Sequence, residues 1–153
     1  RIEYLASGLE CRVIFLDHLS ILLSGLDGDE RRMIDSTMTR LRSLVERTGI
    51  TLYLVSHLRR SNSDSNSHEE GGRVSLGQLR GSHSISQISD TVIALERDQQ
   101  SEDANNVTTV RVLKNRYSGE VGVATRLTYD LSTCNFYETT KDEQPEFDPT
   151  VDF

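Results

Sequence analysis

Val13-Ile14-Phe15-Leu16 is a short, continuous apolar run ending in Asp17, the pattern of a strand buried on both faces with an acid at its carboxyl end. Beyond the turn-like stretch Ser24-Gly25-Leu26-Asp27-Gly28-Asp29, apolar residues recur at Ile34, Met38, Leu41 and Val45, one stripe of a helix over about 29–48. Asp27 or Asp29 suits its N-cap and Gly49 its end. Ile50 to Val55 is a second β-rich run, closed by Ser56-His57. Strand, helix and strand in this order predict a βαβ crossover, so Asp17 and His57 should emerge on one edge of a parallel sheet, where open α/β folds bind ligands.

Residues 58–76 are polar, rich in Ser, Asn, Gly and Arg, and read as a mobile loop carrying Arg59, Arg60 and Arg73. Ser82 can cap a short helix through Ile85 and Ile88, followed by a strand from Thr91 to Leu95. Val107–Leu113 and Val121–Tyr129 flank Ser118-Gly119, with Val121, Val123, Leu127 and Tyr129 alternating on one face, which predicts a β-hairpin. Asn135–Tyr137 suggests a last edge strand. From residue 138 the chain holds both prolines and reads as a disordered acidic tail, leaving 1–137 as the folded part.

Composition narrows the function classes. The 153 residues carry a net charge of −7, but −5 of it lies in residues 138–153, so the folded part is nearly neutral and nucleic acid is not excluded as a partner. No apolar run is long enough to span a bilayer, and no secretion signal is present, so the reading is a soluble, cytoplasmic protein without a membrane partner. Cys11 and Cys134 match neither zinc-ligand spacing nor a disulfide framework, in keeping with a reducing compartment. A first residue of Arg rather than Met suggests a stretch of something longer.

Chemistry-bearing residues cluster at the expected strand ends. An apolar strand ending in an acid suits the water shell of Mg²⁺ beside a nucleotide, because a hard cation takes carboxylate oxygens; strand-ending acids without a metal are also common. His57 can donate to a terminal phosphate or can be a satisfied loop histidine, and His18 suits a supporting role. Arg59, Arg60 and Arg73 on a polar loop suit a phosphate backbone, or simple solvation. Lys114-Asn115-Arg116, just before the hairpin turn, would project cations from an edge, either into water or toward a neighbouring subunit's nucleotide as an arginine finger.

In order, Arg1-Ile2-Glu3-Tyr4, RVIFLDHLSIL (12–22), DERRMID (29–35), LVSHLRR (54–60), SLGQLRGSHSISQISDTVIALERDQQ (75–100), RVLKNRYSG (111–119) and the terminal Asp152-Phe153 closely resemble the C-terminal helicase domain of T7-like phage primase-helicases, over nearly the whole chain. The resemblance implies an α/β, RecA-like P-loop NTPase core of DnaB-like type, here its C-terminal part, with a mostly parallel sheet and a terminal hairpin. It implies a homo-hexameric replicative helicase moving 5′ to 3′ on single-stranded DNA, with Mg²⁺ and dTTP or ATP as fuel, in the bacterial host's cytoplasm. By the same resemblance Asp17 is the metal-associated acid, His57 the γ-phosphate sensor and Gln87 a second sensor. Arg116 matches the finger with Lys114 beside it, and Arg97 and Tyr129 match the pair that sandwiches the base, a stacking role that fits a guanidinium and a ring. The loop after His57 matches the central DNA-binding loop, with Arg59, Arg60 and Arg73 where the family carries several lysines. Ser86 stands where the phage pattern has arginine. The tail ending in Phe153 resembles one that docks the replicative polymerase.

One motif is missing. G-x-x-x-x-G-K-[ST] needs lysine after glycine, yet Lys114 follows Leu113 and Lys141 follows Thr140, and the family's catalytic glutamate also lies upstream of the matched region. The 153 residues alone are therefore expected not to hydrolyse nucleotide, and to be poorly soluble where the sheet lacks its leading strands. A non-enzymatic module binding helicase subunits or DNA is the alternative, and a recombinase-type filament protein comes third.

Overall fold

Parallel pairing of β1 (Val13–Leu16) with β2 (Thr51–Leu54) frames the first part of the computed structural model, which describes residues 1–23, 28–59, 67–79 and 83–139. The described residues fall into two units, one within Arg1–Arg60 and Ser75–Asp90, the other within Ser61–Val74 and Thr91–Phe153.

In the first unit the crossover between β1 and β2 runs through helices α2 (Leu19–Leu23) and α3 (Glu30–Thr48), with α1 (Ile2–Gly8) ahead of β1. The start of α3 is set by Asp29, whose carboxylate accepts the Arg31 amide at 2.9 Å, a cap that contributes about 1 kcal/mol. Its end is set by Gly49, which takes the left-handed conformation at φ 67 while its N–H donates to the Val45 carbonyl. Between these signals the stripe Ile34, Met38 and Leu41 is buried with Ile14, Leu19, Leu23, Ile50, Leu79 and Ile85. Each such side chain is stabilised by roughly 1.5–3 kcal/mol through removal from water. The Arg42 guanidinium joins α3 to the end of α4 (His83–Ile88), donating at 2.7 Å to both Glu46 and Asp90.

The expectation of a strand buried on both faces is corrected here. Ile14 is buried, but Val13 and Phe15 on the other face of β1 are exposed, and Phe15 stacks on the equally outward Tyr53 at 4.7 Å. Among the described residues only one face of this strand pair is covered, so the run shows a period of two in its burial.

The second unit is an antiparallel meander, β3 (Thr91–Glu96), β4 (Val107–Asn115), β5 (Gly122–Asp130) and β6 (Asn135–Glu138), adjacent in that order. The β4–β5 hairpin and the edge strand β6 agree with the sequence pattern, whereas the mostly parallel sheet does not. Among the described residues only β1 and β2 pair in parallel, and β3 pairs antiparallel with β4. Asn115 shapes the hairpin turn by accepting the amides of Tyr117 and Ser118, and Gly119 supplies φ 75.

The described parts of the polar stretch after His57, residues 58–59 and 67–76, are also more ordered than their composition suggests. Leu58 bridges Leu79 and the Arg59 amide donates to the Gln78 carbonyl, next to a single 3-10 turn at Leu76–Gln78 closed by a Ser75/Gln78 capping box. In the second unit Glu70 bridges Asp98 and Val74 is buried. The expected turn at 24–27, Arg60, the Ser82 cap and the tail beyond Thr139 lie outside the described residues. Among the described residues no helix is long and apolar enough to cross a membrane.

Candidate functional site

Two backbone hydrogen bonds lock the carboxyl ends of β1 and β2 together: the Val55 amide donates to the Leu16 carbonyl and the Leu19 amide to the Val55 carbonyl, each at 3.0 Å. This pins Asp17 and His18 beside the segment leading to His57. Asp17 and His57 are exposed, and the His18 and His57 rings meet edge to face with centroids 4.3 Å apart. His18 Nδ1 is buried without a hydrogen-bond partner, and the Asp17–His18 peptide is cis. An exposed carboxylate next to a supported imidazole, both open to solvent on one edge, can face a polyphosphate and its cation. Gln87 is exposed on α4 in the same unit, and Arg59 is exposed just beyond His57. Among the described residues no group of three or more His, Cys, Asp or Glu forms a ready-made metal cage.

Arg97, Tyr129, Lys114 and Arg116 belong to the second unit, at opposite ends of its sheet. Arg97 follows the last residue of β3, where Glu96 pairs with Thr109, and Tyr129 lies near the end of β5, where Val107 pairs with Thr128. Both are therefore at one end, with β4 between them. Lys114 and Arg116 are at the other, where Asn115 pairs with Thr91. From Thr109 to Asn115 is about 20 Å at the usual rise per residue of a strand, and the further step to each arginine makes the separation of Arg97 from Arg116 roughly 25 Å.

Tyr129 is held on one side by Phe136, with ring centroids 4.9 Å apart, and on its backbone by a bond from its amide to the Asn106 carbonyl. A hydrogen bond with Cys134, partial burial and the neighbouring Asp130 carboxylate hold its phenol above the usual range, so the ring stays neutral. Asp130 itself is held below the usual carboxylate range, first by the Ser132 hydroxyl at 2.7 Å and then by the Ser132 amide and Thr133 hydroxyl. Arg73 is exposed beside the buried Val74.

Sequence reading missed Glu96. It is buried at 8% exposure, receives the Arg111 guanidinium at 2.8 and 3.1 Å, and accepts the Val74 amide at 2.8 Å. The signal was present: in Thr91–Glu96 the inward positions alternate as Val92, Ala94 and Glu96, which puts an acid on the buried face.

Comparison with solved structures gives the class first. The chain superposes on the solved structure of an ATPase domain with a TM-score of 0.68 at 21% identity, covering 91% of this chain and 51% of that one, so the fold is that of an α/β ATPase domain. The family follows from sequence: the DnaB-like helicase C-terminal domain matches residues 2–138, and the chain belongs to that family. It is also 44% identical over 134 residues to the DNA helicase/primase of Enterobacteria phage T3. That alignment covers 87% of this chain, which spans only 23% of the phage protein's length.

Proposed function

We propose that this chain is the C-terminal part of the motor domain of a ring-shaped, nucleoside-triphosphate-driven helicase that moves 5′ to 3′ along single-stranded DNA during phage replication. The observation that carries the reading is the shared strand edge, with Asp17 at the end of β1 and His57 held against His18 at the end of the segment after β2. A magnesium ion brought with dTTP or ATP fits this edge. Mg²⁺ keeps water and phosphate oxygens and needs only one or two carboxylates, and Asp17 offers one in the open. Bound there, the ion supplies charge neutralisation for the phosphates.

His57 donates to the terminal phosphate, and Gln87 acts as a second sensor of nucleotide state. Arg97 and Tyr129 hold the base from one end of the sheet. Arg116, with Lys114 beside it, reaches a neighbouring subunit's nucleotide: its roughly 25 Å separation from Arg97 exceeds what one nucleotide spans, which favours action in trans. Arg59, Arg60 and Arg73 face the DNA phosphates. The acidic tail ending in Phe153 docks the replicative polymerase.

The 153 residues contain no glycine followed by lysine, so they do not hydrolyse nucleotide on their own. That same fact favours a second reading, a non-enzymatic module that pairs with helicase subunits or DNA. The test is made in the intact protein that carries this chain. His57→Ala should leave nucleotide binding in place and lower DNA-stimulated hydrolysis by on the order of 10²-fold, the usual cost of removing a donor to developing charge. An intact wild-type protein that binds DNA or helicase subunits yet hydrolyses nothing would transfer the conclusion to the second reading. Unchanged hydrolysis in His57→Ala would remove the sensor role.

A further inference from the structure

Among the described residues of the second unit, Glu96 is a buried ionisable residue that the proposed chemistry leaves unused. Its side-chain exposure is 6%, and that of its partner Arg111 is 16%. One of its oxygens accepts both the Arg111 Nε–H and the Val74 amide, each at 2.8 Å, while the other oxygen accepts Arg111 at 3.1 Å. Taking a carboxylate out of water is costly, and it persists there only with its partners firmly in place. The bond to Val74 therefore fixes position tightly.

The neighbours on each side of that bond give it meaning. Val74 directly follows Arg73, and Glu96 directly precedes Arg97. The connection is repeated one step along: Glu70 bridges Asp98, and the Gln99 amide donates to the Glu69 carbonyl at 2.9 Å. Arg97 is thus held between two anchor points, residues 96 and 98–99, both tied to the segment 69–74. Gly71 lies close inside this junction at φ 75, where an added Cβ would come within 3.0 Å of the Asp98 side chain. The segment bearing Arg73 is thus joined to the backbone on both sides of Arg97.

We infer that Glu96 is a positioning residue that couples contact of Arg73 with DNA to the grip of Arg97 on the nucleotide base. The inference rests on the roles proposed above for those two arginines. Coupling of this kind is a reciprocal free energy between two sites, so DNA should tighten nucleotide binding and nucleotide should tighten DNA binding by the same factor. A carboxylate serving only to stabilise the sheet would leave that coupling factor unchanged.

The experiment measures, in the intact protein, basal hydrolysis, hydrolysis with single-stranded DNA, and the nucleotide KM with and without DNA. Glu96→Ala should lower the ratio of DNA-stimulated to basal rate and abolish the effect of DNA on nucleotide KM, an effect of about tenfold for a typical coupling between two binding sites. Glu96→Gln keeps an acceptor for the Val74 amide and should recover most of the ratio. Gly71→Val, which wedges the same junction from an exposed position outside the core, should lower the ratio as Glu96→Ala does, and it decides the matter if Glu96→Ala does not fold. A wild-type ratio in both Glu96→Ala and Gly71→Val overturns the inference. That includes the case in which basal and stimulated rates fall by the same factor, which would make the junction scaffold only. Failure of the underlying reading looks different: Arg73→Ala and Arg97→Ala would then leave DNA affinity and nucleotide KM unchanged, whatever Glu96 does.

Discussion

The opposed placement of Arg97 and Tyr129 against Arg116 can be tested by mixing subunits. In a ring of identical subunits each interface joins two different patches, and the proposed function sets one subunit's nucleotide against its neighbour's Arg116. Two defective proteins are prepared: one with Arg116→Ala, the other with Arg97→Ala and Tyr129→Ala together. Alone, the first should lose on the order of 10³-fold in hydrolysis, the scale of an arginine finger, and the second should lose nucleotide affinity. Roughly 25 Å of β4 separates the two sites within one chain, too far for either to repair the other in place. In rings assembled from equal amounts, an interface is intact when a fingerless subunit holds the nucleotide and its neighbour brings the finger. Random mixing makes that about a quarter of interfaces. DNA-stimulated hydrolysis of the mixture should therefore rise far above the mean of the two parents, to as much as a quarter of the wild-type rate. A mixture no more active than the mean of its parents, with ring formation confirmed by its mass in solution, would refute action in trans.

Two further outcomes concern stability. The folded-state pKa of Asp130 is depressed, so its stabilising contribution is fully present above the ordinary value of 3.8 and is lost as pH falls through the lower folded value. Asp130→Asn should thus differ most from wild type near neutral pH and converge with it in acid, as read from denaturation midpoints across that range; a constant difference would mean the turn does not depend on the charge. Gly49→Ala places a side chain in open space but in the left-handed conformation at φ 67, and should cost about 1 kcal/mol in a urea titration. An unchanged midpoint would show that the end of α3 is not held left-handed.

What the sequence disclosed depended on how local the signal was. The extent of α3 was legible because Asp29, the apolar stripe and Gly49 act within a turn or two of where they stand. The common edge of Asp17 and His57 was legible because a crossover between parallel strands leaves little freedom. The two short helices α1 and α2 were not, since α1 buries none of its residues and α2 is five residues long, too short to display a period. The order of residues 67–76 was hidden for another reason: beside local bonds around Ser67, the segment is tied to residues far away in sequence, Val74 to Glu96 and Glu69 to Gln99. Of the candidate site, residue types and strand ends could be read directly, but the contact between His18 and His57 and the bond between Glu96 and Val74 depend on which segments become neighbours.

The chain contains no tryptophan, so its near-ultraviolet signal comes from tyrosine, and Tyr53 is stacked in the open against Phe15 on the uncovered side of β1 and β2. Anything that settles on that side dries this ring and changes its absorption and emission. Because the chain has five tyrosines, the difference between wild type and Tyr53→Phe serves as the optical reporter of association at this surface, with no dye attached.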